Sequence, residues 1–342
     1  MTSSWNPAVL ADLRECLELM TADGTVPGGV IAHGPLDGEP GFVTAGVVAT
    51  ECGDTPPGPA TVYDVASLTK VLATWPLVGT TGIDLDAPVQ TFLPTVPAGA
   101  PGGKVTVGQI LAHTSGLRAD TRLDQYRGRT EGLAELICGE ELIAQPGAGH
   151  RYINRGFILA GLLLAQVAGR RLDDLAADLW ISLGMTNTTY GPVSRSAEVA
   201  PTEQRLAGAP RLWGIPHDDN AALLGGVAGH AGVFTTAADL ATYANTLLAG
   251  HRDGTQLGRW LAQSMTPQAA IEPGLDRGLA WILADEGRVA HHHGFTGTSL
   301  YLAPTTGRYL AICTNAVYHR QDNRARLAPL RDLALKAITT EP

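Results

Sequence analysis

Residues 63–75 read YDVASLTKVLATW, and the pair Ser67 and Lys70 within this stretch is the strongest indication of the fold. The pattern predicts an entry turn that becomes helical, so side chains three residues apart share one face and can approach hydrogen-bonding distance. A lysine held beside a serine and removed from water loses its proton more readily, and it can then help to take the serine's proton. Nine serines and three lysines in 342 residues give about 0.08 such spacings by chance. The stretch therefore indicates a nucleophilic serine; the alternative is an ordinary serine on a solvated helix.

A second segment, Tyr152-Ile153-Asn154, lies at the predicted start of a helix. A phenol and an amide in this arrangement can both point into one cleft. Tyr152 could then relay a proton to a leaving group while Asn154 holds an amide or ester oxygen. The alternative is that Tyr152 packs against its neighbours and Asn154 is only a helix cap.

A third segment, residues 291–297, reads HHHGFTG on a predicted strand. Adjacent strand residues point to opposite faces, so at most two of the three histidines converge, which disfavours a metal site. A sheet edge whose backbone N–H helps to stabilise an oxyanion is the better interpretation. We expect no metal and no cofactor, since acyl transfer through a serine needs neither.

Residues 217–220 (HDDN) are either a polar loop at the rim of the cleft or a surface turn.

Composition excludes several classes of protein. A net charge of -9 without a cluster of Lys and Arg disfavours a nucleic-acid partner. The longest apolar stretch, residues 156–169, is shorter than a membrane span. No basic and uninterrupted apolar leader opens the chain, so we expect a cytoplasmic protein. Four scattered cysteines predict free, mostly buried thiols.

Strand-like patterns at both ends of the chain flank a helical middle. This order predicts an α/β fold of the α+β type, in which N- and C-terminal helices flank one antiparallel sheet and a helical lobe is inserted. We assign residues 1–75 and 230–342 to the sheet lobe and 76–229 to the mainly helical lobe of one compact catalytic unit, with the site in the cleft between them. A helix begins at Pro7, capped by Asn6. Further predicted helices are 107–113, 132–143, 155–167, 172–183, 237–248 and 324–338, and predicted strands are 29–33, 41–50, 279–284, 288–292, 298–303 and 309–314.

Three segments in this order resemble a known family. Ser67-x-x-Lys70, then Tyr152-x-Asn154, then His292-His293-Gly294 is similar to the layout of the serine β-lactamase/penicillin-binding-protein superfamily, and specifically to the class C β-lactamase-like branch of esterases and transacylases. Residues 111–117 (LAHTSGL), 226–234 (GVAGHAGVF) and 294–299 (GFTGTS) add to the likeness. The resemblance covers roughly residues 25–335 and implies a β-lactamase/transpeptidase-like fold.

The resemblance also implies a role for each matching residue. Ser67 would be the nucleophile that accepts the acyl group, with Lys70 as its partner. Tyr152 would act as general base and acid, and Asn154 would contact a substrate amide. The backbone N–H groups of Ser67 and Phe295 would form the oxyanion hole. His292, His293 and Gly294 would line the substrate site.

One departure from the family pattern bears on the substrate. β-Lactamases and carboxypeptidases usually open the third motif with a lysine that holds the substrate carboxylate, whereas His292 stands here and is only partly charged at neutral pH. This favours an esterase or a biosynthetic transacylase, in a bacterial cytoplasm, that forms an acyl-Ser67 intermediate from a small ester or amide. The acyl group then passes to water or to a small amine or alcohol.

Two other functions stay open on the sequence. One is a β-lactamase or a D-alanyl carboxypeptidase. The other is an inactive homologue that serves as a binding protein, although Ser67, Lys70 and Tyr152 are all present. The acyl donor, the acceptor and the oligomeric state are left undetermined.

Overall fold

The computed structural model describes residues 5–119, 122–319 and 323–340. These residues form an eight-stranded antiparallel sheet with the order β2-β1-β11-β10-β9-β8-β7-β6 and a three-stranded antiparallel sheet with the order β3-β5-β4. The strands are β1 (Gly28–Pro35), β2 (Gly41–Gly46), β3 (Val62–Asp64), β4 (Thr189–Tyr190), β5 (Val233–Thr236), β6 (Ala269–Glu272), β7 (Leu275–Arg277), β8 (Ile282–Ala284), β9 (Val289–His293), β10 (Ser299–Ala303) and β11 (Arg308–Thr314).

Helices cover both faces of the large sheet. They are α1 (Pro7–Ala22), α2 (Trp75–Thr81), α3 (Val107–Leu111), α4 (Leu133–Gly139), α5 (Asn154–Ala168), α6 (Leu172–Ser182), α7 (Asp219–Leu223), α8 (Ala237–Asp253), α9 (Gln256–Ser264), α10 (Asn323–Arg326) and α11 (Ala328–Thr339). The predicted fold class, an antiparallel sheet flanked by terminal helices with a helical lobe inserted, is confirmed.

The central strands β1, β9, β10 and β11 are buried along almost their whole length, because both faces of the sheet are covered. In β1, Val30 belongs to a hydrophobic cluster shared with Leu240 of α8. The next residue, Ile31, belongs to a second cluster with Leu13 of α1 and Leu330 of α11. The sheet is thus the middle layer of three. The larger cluster also contains residues of both predicted lobes, and the lobe boundaries themselves stay a prediction. Residues 1–4, 120–121, 320–322 and 341–342, which belong to those lobes, lie outside the described residues.

Local sequence signals explain where most elements begin and end. The Asn6 side chain accepts a hydrogen bond from the Ala8 N–H at 2.9 Å, as predicted for the cap of α1. Thr236 likewise caps α8 by accepting from the Asp239 N–H. The predicted strand 41–50 is shorter, because Gly46 has a φ of +73° and ends the extended backbone.

Other sequence expectations are wrong in detail. The predicted strand 279–284 begins as a tight turn in which the Gly278 N–H donates to the Trp281 carbonyl, and only Ile282–Ala284 is strand. The predicted helix 132–143 ends at Gly139. The predicted helix 324–338 is divided into α10 and α11. Helix α9, which starts at the capping residue Thr255, was not predicted.

The loop before β5 meets α5 backbone to backbone. A Cβ atom on Gly229 would collide with the carbonyl oxygen of Phe157, and it would lie 3.0 Å from the Cα of Gly161. The Gly229 carbonyl in turn accepts a 2.6 Å hydrogen bond from the buried Thr74 hydroxyl. This contact fixes the helical side of the cleft against the segment that carries Ser67 and Lys70.

Of the helices described, none has both the length and the apolar character needed to cross a membrane.

Candidate active site

The segment that carries Ser67 is less regular than the predicted helix. Ala66–Leu68 forms a 3₁₀ turn and Lys70–Thr74 a π-helical turn. The Lys70 ammonium nevertheless donates to Ser67 Oγ at 2.9 Å. Ala66 has a φ of +44°, which is unfavourable for a residue with a Cβ. Its N–H is held at 2.8 Å by the Asp64 carboxylate. Backbone strain and a fixed carboxylate therefore set the position of the serine.

Lys70 is fully buried behind Ser67. Its ammonium also donates to the His230 carbonyl at 3.1 Å and lies 4.9 Å from the centre of the Tyr152 ring. Burial lowers the pKa of Lys70, and Arg277 lowers it further, while Tyr152 and Asp218 act in the opposite direction. The neutral amine needed to take a proton is thus easier to reach here than for a lysine in water.

Tyr152 is placed by the segment of residues 111–117. Its ring, 40% exposed to solvent, stacks on the buried His113 ring with centroids 4.4 Å apart. The Ile153 N–H donates to His113 Nδ1 at 3.1 Å, so His113 holds the backbone as well as the ring. Burial, together with the charges of Arg277 and Lys70, keeps the pKa of His113 well below its usual range. A neutral imidazole therefore supports the phenol.

Asn154 is not a helix cap. It is the first residue of α5, while the capping position belongs to Ile153, which has no side-chain cap bond. The Asn154 Oδ1 atom is buried without a hydrogen-bond partner among the described residues, and the side chain lines the cavity. The capping alternative is wrong, and the amide is available to a molecule in the cleft.

The third motif lies on β9 and its following turn. His292 and His293 line the cavity, whereas His291 stacks on Tyr301 with ring centroids 5.3 Å apart. Burial, reinforced by the charges of Arg277 and Lys70, keeps the pKa of His292 well below its usual range, so it is neutral at pH 7. Within the part of the chain that is described, no group of three or more His, Cys, Asp or Glu could hold a metal ion.

Two threonine side chains join the third motif to backbone carbonyls of the Ser67 segment. The Thr296 hydroxyl donates to the Asp64 carbonyl at 2.6 Å, and the Thr298 hydroxyl donates to the Val65 carbonyl at 3.2 Å. A side chain at Gly294 would collide with that same Val65 carbonyl, so glycine is needed where the two chains touch. Phe295 consequently lies at the cavity beside Ser67.

The cavity at these residues has a volume of about 620 Å³, a size typical of sites for small molecules. The structure brings together all eight predicted site residues: seven line the cavity and Lys70 lies directly behind Ser67. The lining residues are Ala66, Ser67, Tyr152, Asn154, Arg205, His217, Asp218, Asp219, Ala231, Arg277, Ile282, His292, His293, Gly294, Phe295 and Arg331.

Residues 217–220, of which Asp219 and Asn220 begin α7, contribute a carboxylate to this cavity, so the rim interpretation is confirmed. Asp218 Oδ1 lies 2.8 Å from His230 Nε2 and accepts from the Ala221 N–H at 2.9 Å. Burial acts to raise the pKa of Asp218, but the contacts with His230 and Ala221 and the charge of Lys70 hold it below its usual range. Asp218 is therefore an anion that faces the same cavity as Ser67.

Three arginines of the cavity, Arg205, Arg277 and Arg331, were not predicted from the sequence. Arg277 comes from β7 and Arg331 from α11. The local sequence shows only that Arg277 lies next to the apolar residues Leu279–Trp281, which are buried. It is the pairing of the strands in the sheet that brings Arg277 to the site.

Comparison with known proteins agrees with this geometry. Residues 13–335 match the sequence model of the beta-lactamase family. Over 227 residues the chain is 30% identical to a protein of Escherichia coli (strain K12) named a putative D-alanyl-D-alanine carboxypeptidase. That match covers 56% of this chain and 51% of the relative, so the chain spans about half the length of the curated relatives it matches.

Solved structures share the fold over nearly the whole chain. A beta-lactamase/D-alanine carboxypeptidase from Pseudomonas syringae has a TM-score of 0.78 and 18% identity, covering 98% of this chain and 100% of that chain. EstCE1, described as a hydrolase with promiscuous acyltransferase activity, has a TM-score of 0.72 and 20% identity, covering 96% and 98%. At these identities the likeness shows the fold alone. The β-lactamase/transpeptidase-like fold and the superfamily predicted from the sequence are confirmed.

Proposed function

Because the chain belongs to the beta-lactamase family of serine hydrolases, we propose that it is an esterase or transacylase that forms an acyl-enzyme on Ser67. The acyl donor is a small ester or amide, and the acceptor is water or a small amine or alcohol. The observation that carries the proposal is the 2.9 Å hydrogen bond from the buried Lys70 ammonium to Ser67 Oγ, beside a third motif that bears no charge.

In the first half-reaction the Ser67 hydroxyl gives its proton to the Tyr152–Lys70 pair, and Oγ bonds to the substrate carbonyl carbon. The carbonyl oxygen becomes an oxyanion, which the N–H groups of Ser67 and Phe295 would stabilise. When the bond to the leaving group breaks, Tyr152 returns the proton to the departing oxygen or nitrogen. In the second half-reaction the acceptor gives its proton to Tyr152 and takes the acyl group from Oγ, and Tyr152 passes that proton on to Oγ, which restores the Ser67 hydroxyl.

The state of His292 supports an ester or transfer substrate over a β-lactam. A neutral imidazole gives a substrate carboxylate hydrogen bonds but no charge at the position where the family usually has lysine. The acceptor has room in a cavity of about 620 Å³ next to Ser67. The Asn154 amide supports binding of the acyl donor, since its Oδ1 atom is without a partner among the residues described.

A D-alanyl carboxypeptidase is the second candidate. Arg331 reaches the cavity from α11 and could face a substrate carboxylate, and the Escherichia coli relative is named for that activity. Turnover of a peptide that ends in D-alanyl-D-alanine, compared with turnover of nitrocefin and of simple esters, separates the three substrate classes.

The direct test is the mass of the intact protein after treatment with a fluorophosphonate and, separately, with small activated esters. We expect one adduct per chain in the wild type, none in Ser67→Ala, and an unchanged adduct in Ser196→Ala, which removes an exposed serine. Faster decay of the adduct with an added amine than in water identifies a transacylase. A wild-type protein that takes no label would contradict the proposal and favour a binding protein.

A further inference from the structure

The cleft lacks a permanent cation where its family usually carries one. His292 occupies that place on β9 and is neutral at pH 7. Its Nε2 atom is buried and has no hydrogen-bond partner among the described residues. A tyrosine that acts as a general base must nevertheless be able to carry a negative charge.

Arg277 supplies a buried cation to the same space from another strand. It is the last residue of β7, where it pairs with Ile282 of β8, which in turn pairs with His291 of β9. Its side chain is 2% exposed. Burial lowers the pKa of Arg277 to about 10, so the guanidinium stays charged at pH 7.

The guanidinium is fixed in direction by two hydrogen bonds. Nε donates to His150 Nε2 at 3.2 Å, and Nη1 donates to the Ala280 carbonyl at 3.0 Å within the β7–β8 turn. Burial and the charge of Arg277 lower the pKa of His150 to about 4, so His150 is a neutral acceptor at pH 7. The Ala280 N–H donates to the Leu111 carbonyl at 2.9 Å, which ties the turn to the segment that holds Tyr152.

Among the residues that the structure describes, four ionisable side chains face the Tyr152 ring. His113 stacks on it at 4.4 Å, and His292 lies 6.3 Å from it; both are neutral at pH 7. The Lys70 ammonium lies 4.9 Å from the ring centre and the Arg277 guanidinium carbon 5.9 Å. Lys70 exchanges a proton in the proposed mechanism, so Arg277 is the permanent charge of this set.

We propose that Arg277 is the positioning cation of the general base, stabilising the negative charge that Tyr152 carries when it takes the Ser67 proton. The inference rests on the proposed function. Arg277 would place in the cleft, from β7, the positive charge that a lysine at the start of the third motif would place there from β9. Because its side chain is almost wholly buried, it would act on Tyr152 rather than as an exposed anchor for a substrate carboxylate.

The test is the rate of Ser67 acylation by an activated ester as a function of pH in Arg277→Met and Arg277→Lys. A cation at this distance shifts a proton equilibrium by about one pH unit or more. We expect the half-maximal pH of acylation to rise by about one unit in Arg277→Met, with roughly tenfold slower acylation at pH 7. Arg277→Lys keeps the charge, and we expect a half-maximal pH close to that of the wild type.

Two further variants assign the effect to Tyr152. Arg277 also lowers the pKa of Lys70, so Arg277→Met is repeated in the Tyr152→Phe background. There it should no longer shift the profile. His292→Lys places a cation on β9, and in Arg277→Met it should bring the half-maximal pH back to within about half a unit of the wild type.

Several outcomes would overturn the inference. These are an unchanged pH profile in a folded Arg277→Met, an equal loss in Arg277→Lys, or an undiminished shift in the Tyr152→Phe background. If Arg277→Met does not fold, a folded Arg277→Met/His292→Lys protein that does not acylate overturns it as well. Labelling of wild-type Ser67 tests the proposed function separately, so the failure of one is distinguishable from the failure of the other.

Discussion

The two walls of the cleft are built differently. The wall formed by residues 64–74 is held by bonds between neighbouring segments: Asp64 accepts from the Ala66 N–H, and Thr74 donates to the Gly229 carbonyl. The wall formed by β7 and β9 contains buried ring nitrogens without partners among the described residues, at His291 and His292. Its fixed charge comes from Arg277.

The first wall therefore positions the reacting groups, whereas the second wall sets the charge of the cleft. On the first wall, hydrogen bonds fix the Ser67 hydroxyl and the Lys70 amine to within the distance that proton transfer needs. On the second wall, neutral imidazoles and one buried guanidinium set the charge of the space that a substrate would enter. Changes to the first wall should therefore alter the rate or the stability, whereas changes to the second wall should alter the dependence on pH.

The largest effect is expected from Lys70→Met. Methionine fills similar buried space without a charge, so the fold should survive while the partner of Ser67 is lost. We expect the rate of Ser67 acylation to fall by roughly 10³-fold. The matched control is Lys104→Met, which changes an exposed lysine and should leave the rate unaltered. A Lys70→Met rate within tenfold of the wild type would remove Lys70 from the proposed mechanism.

A smaller effect is expected from Thr74→Val on the same wall. Valine keeps the shape of the buried side chain but leaves the Gly229 carbonyl unpaired. We expect a loss of about 1–3 kcal/mol in the free energy of unfolding, measured by urea denaturation. Thr242→Val, on the exposed face of α8, loses a hydrogen bond to Ala238 and should change stability by less than about 0.5 kcal/mol. Equal losses in the two variants would show that the buried Thr74 hydrogen bond stabilises the protein no more than the exposed Thr242 hydrogen bond does.

The smallest effect is expected from His291→Phe on the opposite wall, and it is a change in how much stability the protein loses in acid. Burial, with the charges of Arg277 and Arg331, lowers the pKa of His291 to about 3. A histidine with a depressed folded-state pKa contributes stability above about pH 6.5, which is lost as the pH falls toward 3, at up to about 1.4 kcal/mol per pH unit. His291→Phe should therefore lose less stability than the wild type between pH 7 and pH 5, in urea denaturation at both values.

His251→Phe is the control for this change, since His251 lies on α8 away from the cavity. Its loss of stability between pH 7 and pH 5 should equal that of the wild type. If His291→Phe is as acid-sensitive as the wild type, His291 does not contribute to the acid sensitivity of this wall.

The sequence predicts the first wall well because its chemistry is local. Ser67 and Lys70 are three residues apart, and their contact survives even though the regular helix expected there is a 3₁₀ turn followed by a π turn. Tyr152 and Asn154 are likewise close in sequence. Their shared cavity follows from the start of α5, which was predicted to within one residue.

The second wall could not be predicted in the same way. Arg277 reaches Tyr152 through the pairing of β7 with β8 and of β8 with β9, and no spacing along the chain records that pairing. The neutrality of His292 depends on its burial and on the nearby guanidinium. The sequence shows a histidine there, but its charge is a property of the tertiary structure.

The contact between Gly229 and Gly161 limits how this protein can change during evolution. Any side chain at Gly229 would meet the backbone of α5, so the loop and the helix would have to separate. That loop also carries the carbonyl that anchors the Lys70 ammonium. A substitution at either glycine would therefore displace the loop that holds Lys70, so we expect both positions to stay glycine in any lineage that keeps the acyl-transfer chemistry.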